Sequence, residues 1–287
     1  MSRVAYVNGR YLPISDPSIP VEDRGLQFAD SVYEVVLINR GKPVDEEPHM
    51  ERLERSLGEL RIPAPMSRAA IGVITREMVR RNKIVDGIVY MQVTRGTAPR
   101  NAAPMRARTA PTVIMTARRV TPLNLDSIAP GIAIKTVPDI RWHRRDIKTT
   151  NLLPNAMAKQ QALDAGFSDA WMTDEVGHIT EGSSSNAWIV TANKQLITRQ
   201  PTEDILWGVT RRRTLALAKA LGLTFIERSF SVAEAKEASE AFLTSASSYI
   251  MPVTKIDDKV IGNGHAGSVT IALAEGYHAF MVSGETS

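Results

Sequence analysis

The chain has 287 residues, 43% of them hydrophobic and 23% charged, and a net charge of +4. That is enough for one large domain or two medium ones with proper cores, while the lack of any cysteine excludes disulfides, thiolate nucleophiles and cysteine-based metal sites. The arginines are scattered among acids, which excludes a nucleic-acid arm or a polybasic membrane patch, and no apolar run approaches the length that spans a bilayer.

The opening stretch MSRVAYVNGRYLP lacks the apolar h-region of a signal peptide, so the expected compartment is the cytoplasm. Asn8-Gly9 between β-prone residues predicts a hairpin. SVYEVVLINRGKPV predicts a second, turning at Asn39-Arg40-Gly41. EEPHMERLERSLGELRI puts Met50, Leu53, Leu57 and Leu60 on one helical face. SRAAIGVITREMVRRN does the same with Ile71, Ile74, Met78 and Val79, after a Ser67 cap. GIVYMQVTRG and PTVIMTARRV read as strands around a loop at 97–111 that carries prolines and arginines. Residues 1–120 are thus expected to form an α/β domain with mostly hairpin-joined strands, and the turn residues of 121–128 a linker.

A second domain, 129–287, follows. IAIKTVPDIRW reads as a strand, and a helix over 154–165 ends at Gly166. DAWMTDEVGHITEGSSSNAWIVTANKQLITR alternates strands and turns as an antiparallel meander does. VTRRRTLALAKALG and SVAEAKEASE are helical, AFLTSASSYIMPVTKID is strand, polar loop and strand, and SVTIALAEGYHAFMV is a last helix.

The chain has no Walker A sequence, no GxGxxG opening a helix, no HExxH and no GxSxG, and its histidines have no metal-ligand spacing. Four polar segments stand out in apolar strand surroundings: DIKTTN, TEGSSSN, LWGVT and LTSAS. Gly208-Val209-Thr210 leads straight into a helix, whose positive N-terminus suits a phosphate. Ser245-Ala246-Ser247-Ser248 supplies further hydroxyl and amide donors, and Arg52 a charge-assisted one. Singly, each residue has an ordinary structural explanation: Lys148 a solvated charge, Glu181 a turn cap, Tyr33 a half-buried strand tyrosine. One ligand would use them all together. It needs an aldehyde for a lysine amine, a phosphate, and a ring nitrogen that wants a carboxylate. Pyridoxal 5'-phosphate has all three.

At these residues the sequence resembles the class IV aminotransferases, the fold-type-IV pyridoxal phosphate enzymes, and within them the D-amino acid aminotransferases. The resemblance runs through EDRGLQFADSVYEVV (22–36), HMERLERS (49–56), QVTRGTAPR (92–100), DIRWHRRDIKTTNLL (139–153), TEGSSSNAW (180–188), ILWGVTR (205–211) and FLTSASSYIMPV (242–253). It implies an α/β (α+β) fold in two domains, the smaller N-terminal one α/β and the larger C-terminal one an α/β pseudobarrel that binds the cofactor. It implies a homodimer that transaminates between a D-amino acid and a 2-oxo acid by a ping-pong mechanism. Lys148 would hold the cofactor covalently and shuttle the proton. Glu181 would pair with the pyridine nitrogen, and Leu206 would pack beside the ring. Arg52, Gly208, Val209, Thr210 and the loop of Ser245, Ala246 and Ser247 would hold the phosphate. Tyr33, Arg100 and Ser247 would face the substrate, Arg100 from the neighbouring subunit. Arg141 would balance charge nearby, with Arg144 and Arg145 solvated or at the subunit interface.

Two positions depart from that pattern. Ala102 stands where the bacterial carboxylate trap has a histidine, with Arg106, Arg108 or a water as replacements, and Ala246 stands where a hydroxyl residue is common. Three alternatives stay open: an L-branched-chain aminotransferase, an (R)-amine transaminase and an aminodeoxychorismate lyase.

Overall fold

The structure, a computed structural model, describes residues 3–103, 109–121 and 124–283. The chain divides into two compact units. One runs through the last strand before residue 120 and takes back Ile147–Asn151, while the other holds the remainder.

In the first unit, β1 (Val4–Val7) and β2 (Arg10–Pro13) close over Asn8 and Gly9, at φ 44° and 88°. Positive φ at both turn residues matches the twist of the paired strands. A five-residue helix, α1 (Arg24–Phe28), precedes β3 (Ser31–Asn39). The chain then turns through Arg40 and Gly41, again at positive φ, into β4 (Lys42–Pro43). Helices α2 (Glu46–Glu59) and α3 (Arg68–Asn82) follow, then β5 (Gly87–Thr94) and β6 (Thr112–Arg119). Ser67 caps α3 by accepting from the Ala70 amide. The sheet order is β2-β1-β6-β5-β3-β4 and each neighbouring pair is antiparallel.

Strand alternation sorts this sheet into two faces. Val89, Met91 and Val93 of β5 enter one core with Met50, Leu53 and Leu57 of α2 and Ile71, Met78 and Val79 of α3. Glu34 shares that helix-covered face, since it pairs with Met91. Tyr33, Tyr90 and Gln92 take the other face. Ile147–Asn151, placed by sequence in the C-terminal domain, lies along β3 instead. Val32 bridges Thr149, the Tyr33 amide donates to Lys148 O at 2.9 Å, and the Thr150 amide donates to Ser31 O at 3.2 Å.

The second unit opens on α4 (Leu125–Ile128), a helical turn inside the stretch read as a linker. Asn124 and Ser127 form a reciprocal capping box, and Ile128 is buried, which is enough to order the turn. Then come β7 (Ile132–Pro138), α5 (Leu153–Asp164), β8 (Asp169–Thr173), β9 (Ile179–Gly182), β10 (Asn186–Val190) and β11 (Leu196–Thr198). They are followed by α6 (Val209–Ala220), β12 (Phe225–Glu227), α7 (Val232–Lys236), β13 (Glu240–Ser245), β14 (Tyr249–Ile256), β15 (Lys259–Val260) and α8 (Ser268–Ser283).

The strands pair in the order β12-β11-β10-β13-β14-β7-β8-β9, with β15 on β14. The meander expected of 169–199 is therefore broken: β10 leaves β9 and pairs with β13 and β11. Only Ser183, Ser184 and Ser185 connect β9 to β10, yet four strands lie between them in the pairing order. Laid flat, five inter-strand gaps would span about 24 Å, whereas three residues reach about 10 Å. The sheet must curl back on itself, which makes the pseudobarrel. Strands β8, β9, β10, β11 and β13 are buried on both faces. Ala187, Ile189, Ala241 and Leu243 enter an inner core with Trp171, Ile134 and Phe230. Trp188, Val190 and Phe242 face α6 and α8 with Leu273 and Tyr277. Among the described residues no helix is long and apolar enough to cross a membrane.

The start of α8 is held by a strand carboxylate rather than its own cap. Glu240 accepts from the Val269 amide at 3.0 Å and from the Thr270 amide and hydroxyl at 2.8 and 2.7 Å. Glu240→Ala is expected to destabilise the protein by about 1–2 kcal/mol. Denaturant unfolding checks this, with the loss shown by a lower midpoint at unchanged slope.

Candidate active site

In the first unit the Lys148 segment is fixed by its neighbours on both sides. Ile147 is buried in the core under α2 and α3, the Lys148 amide donates to Ser56 Oγ at 3.3 Å, and Ser31 and Thr150 hydroxyls bond to each other. Those anchors leave the side chain on the Tyr33 face of the sheet. Lys148 Nζ stands 4.3 Å from the centroid of the Tyr33 ring. Tyr33 in turn packs on Tyr90, with ring centroids 5.6 Å apart. Burial first, then Tyr33, pushes the Tyr90 hydroxyl up to about 12, so it stays a proton donor, and it donates to Gln92 Oε1 at 2.9 Å. Tyr90 was not picked out from the sequence; its place opposite Val35 follows only from the pairing of β3 with β5.

Arg52 lies on the helix-covered face of the same strand. Its Nε and Nη2 each donate to the Glu34 carboxylate at 2.8 Å, and His49 Nδ1 lies 2.7 Å from Glu34 Oε2. Glu34 has no exposure. Burial alone would raise its carboxyl, but Arg52 and then His49 outweigh that and hold it well below the usual carboxylate range. His49, Arg52 and Ser56 recur at helical spacing on one face of α2. The Arg52 guanidinium is thus set in orientation by a buried fork, one turn from the Ser56 hydroxyl that receives the Lys148 amide. The expected phosphate contact gave no hint of Glu34, because strand and helix meet only in the folded unit.

Arg100 and Ala102 are both exposed. The Arg100 guanidinium sits 4.8 Å from the Phe28 ring centroid, and buried Arg24 donates to Asn101 O at 2.6 Å. Arg106 and Arg108, named as replacements for the missing trap histidine, lie outside the described residues.

In the second unit the curl of the sheet brings the ends of β9, β10 and β13 together with the residues before α6. Glu181 is the centre. Its Oε2 accepts from the Leu206 amide and from Asn186 Nδ2, both at 3.0 Å, and its Oε1 accepts from Arg141 Nη1. Burial pushes the Glu181 carboxyl above its ordinary value, and Arg141 with the Leu206 amide offsets only part of that. A carboxylate has about four lone-pair positions, so it has the capacity to accept a further N–H, the group a protonated pyridine ring presents. Asn186 also donates to Leu206 O at 2.9 Å, which clamps the strip that carries Leu206. A Cβ on Gly208 would meet Asn186 Oδ1 at 2.1 Å, so only glycine admits this approach.

Gly208 begins α6 with no side-chain cap on the helix. The amides of its first turn, at Val209 and Thr210, are therefore donors of the kind that bind phosphate. Asn186 pairs with Thr244 across β10 and β13, which places the Ser245–Ser248 turn beside this helix start. In that turn Ser245 Oγ accepts from the Ser248 amide at 3.0 Å, and Ser245 and Ser247 hydroxyls are 3.5 Å apart. Ala246 contributes its backbone. The donor set fits a pyridine ring with a phosphate arm: one buried carboxylate, one uncapped helix start and one hydroxyl-rich turn.

Arg141, expected to balance charge near the cofactor and to face the substrate, has its guanidinium buried between Asp139 and Glu181. Burial alone would lower its pKa, but Glu181 and Asp139 outweigh that and keep it a cation. Arg145, expected to be solvated or at a subunit interface, is buried too. Its Nε lies 3.3 Å from Asp139 and its Nη1 3.4 Å from Asp204. Asp139, Thr180 and Asn186 had not been read as site residues. Asn186 closes the polar run TEGSSSN at the head of an apolar strand, which was the available signal.

The chain matches the amino-transferase class IV family over residues 31–256. It is 37% identical to the D-alanine aminotransferase of Bacillus licheniformis, over 92% of each chain. Its fold is that of the branched-chain amino acid aminotransferase of Escherichia coli, with a TM-score of 0.89, 24% identity, and coverage of 100% of this chain and 97% of that one. A second branched-chain amino acid aminotransferase, from T.th. and solved with pyridoxamine 5'-phosphate, superposes with a TM-score of 0.90 at 23% identity, over 99% and 96% of the two chains. With the family matched across most of its length, this chain is a class IV aminotransferase.

Proposed function

We propose that the enzyme uses pyridoxal 5'-phosphate to transfer the amino group of a D-amino acid, such as D-alanine or D-glutamate, to a 2-oxo acid, and that it does so as a homodimer. The observation that carries the cofactor is Glu181, buried and held by three donors beside the uncapped start of α6. The D-amino acid choice is supported by the D-alanine aminotransferase relative. The branched-chain neighbours, at under 25% identity, speak to the fold alone.

When bound, the cofactor supplies an electron sink for the charge left at the substrate α-carbon. The protein does the rest. Lys148 would hold the cofactor through its amine, and its Nζ would take and return the substrate α-proton. Glu181 would accept a hydrogen bond from the protonated ring nitrogen, and Leu206 would line the ring. The Val209 and Thr210 amides, the Ser245–Ser247 turn and Arg52 bind the phosphate, and Glu34 keeps Arg52 oriented for it. Tyr33 and the partner subunit's Arg100 hold the substrate carboxylate. Because Ala102 offers no donor to that trap, a primary (R)-amine without a carboxylate is the second substrate class to test.

Lys148→Ala is expected to fold and to lose more than about a thousandfold in turnover, with D-alanine no longer bleaching the visible absorbance of the loaded wild-type enzyme. In the wild type, bleaching by D-alanine and none by L-alanine is the expected outcome; bleaching by L-alanine alone would remove the D-amino acid reading. Ala102→His is expected to lower KM for D-alanine by about tenfold, the worth of one charge-assisted hydrogen bond, with kcat little changed. An unchanged KM would mean that another group already serves there.

A further inference from the structure

We propose that Asp139 is a positioning residue for Glu181, acting through Arg141. This rests on the reading of Glu181 as the partner of the cofactor's ring nitrogen. The Asp139 side chain has no exposure. Its Oδ1 accepts from the backbone amide and the Nε of Arg141, at 3.1 and 2.9 Å. Its Oδ2 accepts from Arg141 Nη2 and from Thr180 Oγ1, both at 2.7 Å. One edge of the planar guanidinium is therefore taken by Asp139, and Nη1, on the other edge, is delivered to Glu181 Oε1. Thr180 is the residue before Glu181 in β9. Asp139 thus ties down both the strand that carries Glu181 and the cation that faces it.

The charge pattern explains why such a residue is needed. A buried arginine paired with Glu181 alone would cancel its charge, and a cancelled carboxylate holds a protonated ring nitrogen weakly. Sharing Arg141 between two carboxylates leaves the trio of Asp139, Arg141 and Glu181 with a net negative charge. Arg145, the other cation on Asp139, is itself shared with Asp204. Geometry points the same way. A guanidinium gripped in bidentate fashion cannot swing to take both Glu181 oxygens, so Oε2 stays with Asn186 and Leu206.

The test titrates four full-length proteins: wild type, Asp139→Asn, Glu181→Gln and the double variant. Each receives pyridoxal 5'-phosphate and, separately, the analogue with carbon in place of the ring nitrogen, with binding read from tryptophan fluorescence. Asp139→Asn is expected to weaken pyridoxal phosphate about tenfold, to leave the analogue unaffected, and to add nothing in the Glu181→Gln background. An equal loss for both ligands, or a full loss on top of Glu181→Gln, overturns the proposal and makes Asp139 merely structural. If Glu181→Gln alone fails to discriminate the two ligands, the underlying assignment of Glu181 falls instead. Should Asp139→Asn not fold, Thr180→Val removes a single bond to Asp139. It is expected to give a smaller loss confined to pyridoxal phosphate, and a loss shared by both ligands overturns the proposal.

Discussion

A carboxylate buried at the end of a strand has to be given partners before a chain can close around it. In the second unit that carboxylate is Glu181, and much of the local architecture serves it. Asn186 reaches it from the next strand, the Leu206 amide from the strip before α6, and Arg141 from the segment after β7. These donors come from three separate stretches of chain. They converge because three serines are too short a connection to let the sheet lie flat. The curl that makes the pseudobarrel and the polar cluster at its rim are therefore one constraint seen at two scales.

The first unit solves a similar problem in a similar way. Glu34 is buried on the helix-covered face of β3, and Arg52 meets it with a fork while His49 takes the remaining side. In both places an arginine is held by a bidentate carboxylate before it does anything else. Guanidinium suits this role because its planar donors lose little freedom per bond formed, where a lysine would have to be frozen along its whole stem. Lys148 follows the opposite logic. Its backbone is pinned by Ser56 and Tyr33, and its amine sits against an aromatic face. The proposed role of Lys148, gaining and losing a proton, is better served by a neighbour that does not trap its charge.

In the second unit the proposed phosphate contacts are backbone amides and hydroxyls, and the charge comes from Arg52. α6 begins at Gly208 without a capping side chain, and the Ser245–Ser248 turn presents hydroxyls and amides beside it. Ala246 is tolerable there for the same reason: an amide does not depend on the side chain that follows it. Gly208 is not replaceable on the same terms, since Asn186 occupies the space a Cβ would need. Asn186 thus links Glu181 to the start of α6 through a single side chain.

Periodicity and turn chemistry alone determined most of the elements: both early hairpins, the faces of α2 and α3, the Ser67 cap, and the strand-turn-strand of β13 and β14. Local interactions carry those, so local sequence reveals them. The polar segments stand out against their apolar surroundings, and the resemblance carried by short motifs identified the family. What only the tertiary structure decided was which side chains meet. The break in the meander at β9 and β10, the return of the Lys148 segment to β3, and the burial of Arg141 and Arg145 all depend on pairings between distant stretches. So do the partners of Glu34, Tyr90 and Asp139, none of which has a signature of its own in the sequence, while Asn186 is marked only by the polar run it closes. A buried charge reads in sequence like a solvated one. Its partner, often dozens of residues away, is chosen by the register of strands and the face of a helix, and those are set only when the core closes.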